Sequence, residues 1–342
     1  MTASALPISA ERVARAEGGS RDTPAERAAR VVGVGHVSLD HVFNLPALPT
    51  APVKTPATRH RDLVGGMTAN ACVAAARLGA AASIVAPVGD DMAADVFAAY
   101  FAREGVQSQG LRRVLGASSS VSAILVDAAG ERLIVNHRGD ALAKAPAFDP
   151  AWLDHADVLL TDPRCPAWAE AALRRAHSLA IPSVFDGDVA ERAALQHLAG
   201  LAGWAVFSEP GLAVFSDLGL DAALAQALSL GAGCAVVTLG EQGVAWRRPG
   251  QATCRMPAVA VAPVIDTLAA GDVFHGALAL ALAEGQADAA AIGFAATAAA
   301  LKCLRADGVM GAPSRVEVAR WLAAGRGVAD QAGSVAKPLP SA

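Results

Sequence analysis

The chain has 342 residues, 54% of them hydrophobic and 18% charged, with a formal net charge of −4, a balance that suits a globular protein with a large buried core. No Lys/Arg run exceeds the pairs Arg112-Arg113, Arg174-Arg175 and Arg247-Arg248, so the basic stripe that tracks nucleic-acid phosphates is missing. The five cysteines are odd in number, widely spaced and form no C-x-x-C pair, which excludes a disulfide frame or zinc knuckle and predicts reduced, buried thiols in a cytoplasmic protein.

Residues 1–30 mix Arg and Glu with alanine and lack an apolar h-region, so a disordered extension is expected and not a secretory signal. Short β-branched runs then alternate with alanine-rich helical runs: "RVVGVGHV", "TANACVAAARLGA", "ASIVAPVG", "MAADVFAAYFARE", and later "DVLLTD", "PAWAEAALRRAHSLA" and "PSVFDGD". That alternation predicts an α/β fold with a mostly parallel sheet flanked by helices, and ligands at the carboxyl ends of its strands. One segment departs from it. Residues 122–139 read as two alternating strands around an Asp-Ala-Ala-Gly turn, an antiparallel hairpin. With the extended residues 41–63, it predicts a small β lid drawn from about 41–63 and 118–138. The uncharged stretch "AALAQALSLGAGCAVVTLG" (222–240) is long enough to span a bilayer. Its central Gly-Ala-Gly and its β-branched second half favour a helix, a turn and a buried strand, with no membrane contact. Residues 326–342 carry Gly, Pro and Ser without apolar period and are expected to be a flexible tail.

After the strand-like "VAVAPVI" come Asp266-Thr267-Leu268-Ala269-Ala270-Gly271-Asp272 and then Val273, Phe274, Ala277, Leu278 and Ala281, one helix face. Small residues at a helix start leave unpaired N–H groups and the positive end of the helix dipole for an anion. An acid there is also common as a simple cap. Capping and an anion cradle with a base at its mouth are both open on this stretch alone.

The compound D-T-L-A-A-G-D-V-F-H-G-A resembles the D-T-x-G-A-G-D signature of the PfkB/ribokinase family of carbohydrate kinases. The resemblance implies a ribokinase-like fold for residues 31–325, ATP and Mg²⁺ as cofactors, and a small-molecule sugar as substrate. Asp272 would take the proton of the attacking hydroxyl, and the N–H groups of Ala269, Ala270, Gly271 and Asp272 would stabilise the transferred phosphoryl group. Ala269 replaces the usual glycine, and its donor role is expected to survive through a negative φ. Further matches to the family are Asp40, Gly65, Gly66 and Asn70 for the sugar, and Thr238, Gly240 and Gly243 near the nucleotide. The family's metal-organising N-x-x-E stands here as "SEPG", with Ser208 and Gly211 in the Asn and Glu places; Glu209 would serve through water, with no direct metal ligand. Lids in this family often pair, which implies a homodimer.

Within the family, "GERLIVNHRGDAL", "FDGDVAE", "FSEPGLAVF" and "ALKCLRADGVMGAP" are similar to the sulfofructose kinases. That likeness implies phosphorylation of the C1 hydroxyl of 6-deoxy-6-sulfofructose to 6-deoxy-6-sulfofructose 1-phosphate and ADP, with Lys54, Asn136 and Arg164 on the sulfonate. A permanent monoanion with three acceptor oxygens suits such a set. A kinase of another ketose, a phosphosugar or 2-keto-3-deoxygluconate, and an idle sugar-binding protein, are the competing readings. His36, His41, His137 and His275 lie near these motifs, but no H-x-x-x-H or carboxylate spacing supports a metal, and His275 is expected to pack or cap.

Overall fold

The computed structural model describes residues 27–325. In chain order its first half holds β1 (Arg30–Val34), β2 (Ser38–Asn44), β3 (Arg59–Gly65), α1 (Met67–Arg77), β4 (Ala81–Gly89), α2 (Met92–Arg103), β5 (Gln107–Val114), β6 (Ser120–Val126), β7 (Arg132–His137) and α3 (Ala141–Lys144). The second half holds β8 (Val158–Thr161), α4 (Pro166–Ser178), β9 (Ser183–Gly187), α5 (Arg192–Leu201), β10 (Trp204–Ser208), α6 (Glu209–Phe215), α7 (Leu220–Leu230), β11 (Cys234–Thr238), β12 (Val244–Arg247), β13 (Cys254–Met256), α8 (Ala270–Ala283), α9 (Asp288–Cys303) and α10 (Arg315–Ala323).

Nine strands form the main sheet in the order β13-β12-β11-β10-β9-β8-β1-β4-β5. From β5 to β11 all neighbours run parallel; β12 and β13 are antiparallel. The short apolar runs become central strands because both faces are covered. Val31, Leu160, Val184, Val206 and Val236 meet α1, α8 and α9 on one face. Their alternates Val32, Leu159, Phe185, Phe207 and Val237 meet α4, α5 and α7 on the other. Each such side chain taken from water contributes roughly 1.5–3 kcal/mol. The chain leaves β1 toward β4 and β5 on one side and later returns to β8 on the other, so the carboxyl ends around β1 form the crevice where ligands bind in such sheets.

Alanine and glycine let helices approach closely. A Cβ on Gly276 would overlap the Ala71 carbonyl oxygen, so α8 crosses α1 backbone to backbone. This contact brings residue 70 of α1 beside residue 272 of α8.

The predicted small sheet is present, in the order β3-β2-β6-β7. Its β6–β7 hairpin closes as expected: Gly130 takes φ 85°, and the Asp127 carboxylate accepts the Ala129 and Glu131 N–H groups, both at 2.9 Å. Residues 222–240 are α7, a turn at Gly231 and buried β11, and among the described residues no single helix is long and apolar enough to cross a membrane.

Three expectations need correction or fall elsewhere. The expected extension 1–30 ends earlier, since Arg27 pairs with Asp157 at 2.7 Å and Arg30 already starts β1; residues 1–26 and the expected tail 326–342 lie outside the described residues. Cys72, Cys165 and Cys234 are buried, but Cys254 is exposed on the edge strand β13 and Cys303 is half-buried at the end of α9, where one side faces solvent.

Candidate active site

The Asp266 carboxylate organises the turn before α8. It accepts the Leu268 N–H at 2.8 Å and the Gly308 N–H at 3.0 Å, and the fully buried Lys302 ammonium lies 3.1 Å away. Burial would raise its pKa, but these two amides and Lys302 hold it below the ordinary aspartate value. Ala270 then spends its N–H on the Thr267 carbonyl at 3.2 Å, and Val273 bonds Ala269 O at 2.9 Å. The chain can enter α8 this way only with a left-handed residue at the N-cap: Ala269 has φ 62°, ψ 13°.

The expected negative φ at Ala269 is therefore wrong. Where the family carries glycine, alanine here accepts the left-handed conformation at a cost of roughly 1–2 kcal/mol. The anion cradle is also narrower than expected, because the Ala270 N–H is already taken. Among the described residues no backbone acceptor meets the Gly271 or Asp272 N–H, so these two donors face outward at the positive end of α8.

Asp272 sits half-buried in the first helical turn, and the Asn70 amide donates to its Oδ2 at 2.7 Å. Burial, with Asp186 as the next contributor, pushes its pKa up to about 7, the range a general base needs at neutral pH. Asp186, at the end of β9, is buried, and burial together with Asp188 and Asp162 raises its pKa well above the usual carboxylate range. His275 packs beneath them. Its Nδ1 is 2.7 Å from Gly271 O, its Nε2 is 3.3 Å from Val206 O of β10 and 3.5 Å from Asp186 Oδ1, and burial lowers its pKa; the neutral ring, with one N–H to give, packs between the helix start and the sheet.

The glycine pair before α1 is demanded by sterics. A Cβ on Gly65 would overlap the Asp40 carboxylate, and one on Gly66, at φ 108°, would overlap the His36 carbonyl. Asp40, whose Oδ1 accepts from Ser38 Oγ at 3.0 Å, joins Gly65, Asn70 and Ala269 in lining a cavity of about 350 Å³. Four expected site residues thus meet in one cavity, beside the base.

The three residues expected to read a terminal anion do not line that cavity. Asn136 shares one cross-strand row with Ser122 and Asp40 and donates to Ser122 Oγ at 3.1 Å. Arg164 follows β8 and donates to Val189 O at 3.0 Å. Lys54 is exposed in the β2–β3 loop, and no hydrogen bond or ion pair links the three among the described residues. Sequence reasoning missed two neighbours. Arg138 acts with Arg164 on His36, whose pKa is lowered first by burial, against the pull of Asp162 and Asp40. Asp162 is buried and accepts from His36 N–H, Thr68 Oγ1 and Arg164 N–H at 2.6–2.8 Å, pinning the loop after β1. The signal was available in its place one residue past a strand end.

The predicted nucleotide loop follows β11. Gly240 and Gly243 take φ 57° and 92°, a Cβ on Gly243 would overlap Met256 O, and Thr238 lies in register with Ser208 at the end of β10. Ser208 caps α6 by accepting the Gly211 N–H at 3.0 Å and donates to Asp188 at 2.7 Å. Gly211 has no room for any side chain, since its Cβ would overlap Gly187 O. That close approach of α6 to β9 leaves no space for a glutamate at this position, and Glu209 beside it is exposed.

Residues 28–315 match the pfkB family of carbohydrate kinases. The chain belongs to that family. A ribokinase of Bacillus subtilis (strain 168) is 30% identical over 296 residues, covering 84% of this chain and 98% of its own length. A crystal structure of an Agrobacterium tumefaciens protein described as a ribokinase is 33% identical, with TM-score 0.81 over 86% of this chain and 99% of that one. The Thermotoga maritima ribokinase is 26% identical, with TM-score 0.75 over the same shares. The Arabidopsis thaliana ribokinase solved with ribose and ATP shares the fold at 22% identity and TM-score 0.75, over 86% of this chain and 99% of its own. The pfkB chain described here is therefore an ATP-dependent carbohydrate kinase of ribokinase-like fold.

Proposed function

We propose that this kinase phosphorylates the C1 hydroxyl of a ketose whose far end carries an anion, with 6-deoxy-6-sulfofructose as the substrate that fits best. The observation that supports an anionic tail is the positive field that Arg138 and Arg164 set at His36, whose buried Nε2 has no hydrogen-bond partner among the described residues; Arg164 also lies 3.9 Å from Asp188. Two guanidiniums whose field reaches one unpaired ring nitrogen suit a fixed, multi-oxygen anion. Asn136, in the row of Asp40, and Lys54, in the loop above it, add donors from the small sheet, which acts as the lid.

In this reading Asp40 and the Gly65–Gly66 backbone hold sugar hydroxyls, and Asp272 accepts the proton of the attacking hydroxyl. The Gly271 and Asp272 N–H groups stabilise charge on the phosphoryl group in flight. The Thr238–Gly243 loop flanks the nucleotide. Mg²⁺ would be held near Asp188 and Asp186, with Glu209 serving through water; when bound it would neutralise phosphate charge that these carboxylates otherwise repel. Ser208 fixes the Asp188 rotamer for that task.

Ribose is the competing substrate, because the curated relatives are ribokinases. Coupled ADP release with MgATP and a panel of 6-deoxy-6-sulfofructose, fructose, fructose 6-phosphate, 2-keto-3-deoxygluconate and ribose separates them. Highest kcat/KM on sulfofructose supports the proposal; highest kcat/KM on ribose replaces it.

A further inference from the structure

The antiparallel register of β2 and β3 sets His41 opposite Asp62. The pleat returns His60, two residues before Asp62, to the same face. His41 Nδ1 lies 2.6 Å and His60 Nε2 3.1 Å from Asp62 Oδ1. Among the described residues this is the one group of three such side chains whose ligand atoms all lie within 4.8 Å of one another. Phe43 stacks on His60 with ring centroids 4.6 Å apart, which holds the imidazole in place. By strand alternation His41 faces away from the Asp40 carboxylate, and Asp62 also lines the cavity that Asp40 lines.

We propose that His41, His60 and Asp62 form a binding site for a divalent transition metal of the Zn²⁺ class. Tetrahedral zinc with bonds of about 2.0–2.2 Å keeps its ligand atoms about 3.4 Å apart. The two His–Asp separations reach that spacing by opening less than about 1 Å, and the imidazoles need only close on each other. Side-chain exposures of 37%, 46% and 52% for His41, His60 and Asp62 let an ion enter and leave the fourth position to water. Two imidazoles and one carboxylate favour Zn²⁺, Co²⁺, Ni²⁺ or Cu²⁺ over Mg²⁺, which prefers oxygen alone. The site is therefore separate from the Mg²⁺ of phosphoryl transfer. It joins β2 to β3 one residue from Asp40, so a bound ion clips together the two lid strands that border the sugar cavity.

The test is Zn²⁺ titration calorimetry of tag-free full chain in excess Mg²⁺, with Co²⁺ absorption reporting coordination. A Cys254→Ser background removes the exposed thiol that would also bind. One equivalent is expected with a four-coordinate cobalt spectrum free of thiolate bands, and His41→Ala or His60→Ala should each weaken binding at least about tenfold. Circular dichroism checks folding, and His60→Gln stands in if the alanine variant misfolds. Stoichiometric binding unchanged in both histidine variants, or no binding in the Cys254→Ser protein, overturns the site. Neither readout uses sugar or ATP, so it stands or falls apart from the substrate proposal.

Discussion

Asp272→Asn should lower activity and raise stability in the same protein. Burial and the Asp186 charge lift the Asp272 pKa from 3.8 to about 7, and each unit corresponds to about 1.4 kcal/mol. The unfolded chain gives up this proton near 3.8 and the folded chain keeps it to about 7. Across that window the native state holds more protons, so the Asp272 contribution to stability falls as pH rises and levels off above 7. At pH 8 the ionised carboxylate then costs the unliganded fold on the order of 2–4 kcal/mol, allowing for partial exposure of the side chain. Asparagine keeps the shape and still accepts from the Asn70 amide. Urea unfolding at pH 8 should show the variant more stable by that amount, with the gap narrowing at pH 5. Coupled ADP release should show kcat reduced about 10²–10⁴-fold. A variant no more stable than the parent at pH 8, or one that keeps kcat within tenfold, refutes the reasoning.

Parent kcat/KM should rise with pH through about 7, as the base ionises; a flat profile between pH 6 and 8 contradicts this. Lys302→Met removes a buried ammonium from both the Asp266 carboxylate and its carbonyl oxygen, so urea unfolding should register a loss of about 3–5 kcal/mol. Ala269→Gly relieves the left-handed alanine and should add about 1 kcal/mol in thermal unfolding, with sugar turnover retained. Gly211→Ala pushes a methyl into the Gly187 carbonyl and should lose about 1–3 kcal/mol.

Periodicity and motif spacing made much of this molecule legible. The β-branched runs of the main sheet, the hairpin around Asp127 and the helix starting after Ala269 stand where the pattern puts them, because two buried faces and turn chemistry leave little choice. The convergence of Asp40, Gly65, Asn70 and Ala269 was readable through motif resemblance, since single residues there are ambiguous between caps and ligands. What escaped were long-range juxtapositions. The left-handed Ala269 lies in a turn whose Asp266 is gripped by Gly308 and Lys302, about forty residues on. Asp162 is brought to His36 from another loop, 126 residues on, and Arg138 bears on the same ring electrostatically. His60 joins His41 only through strand register, which no helical H-x-x-x-H search detects.

The chemistry at the far end of the sugar is best tested by comparing kcat/KM for 6-deoxy-6-sulfofructose and for ribose, in the parent and in Arg164→Ala. The parent should favour sulfofructose by at least about tenfold, the worth of roughly one charge-assisted hydrogen bond, and the variant should lose that preference with little change on ribose. Equal loss on both sugars, or a parent that prefers ribose, contradicts an anion held by Arg164.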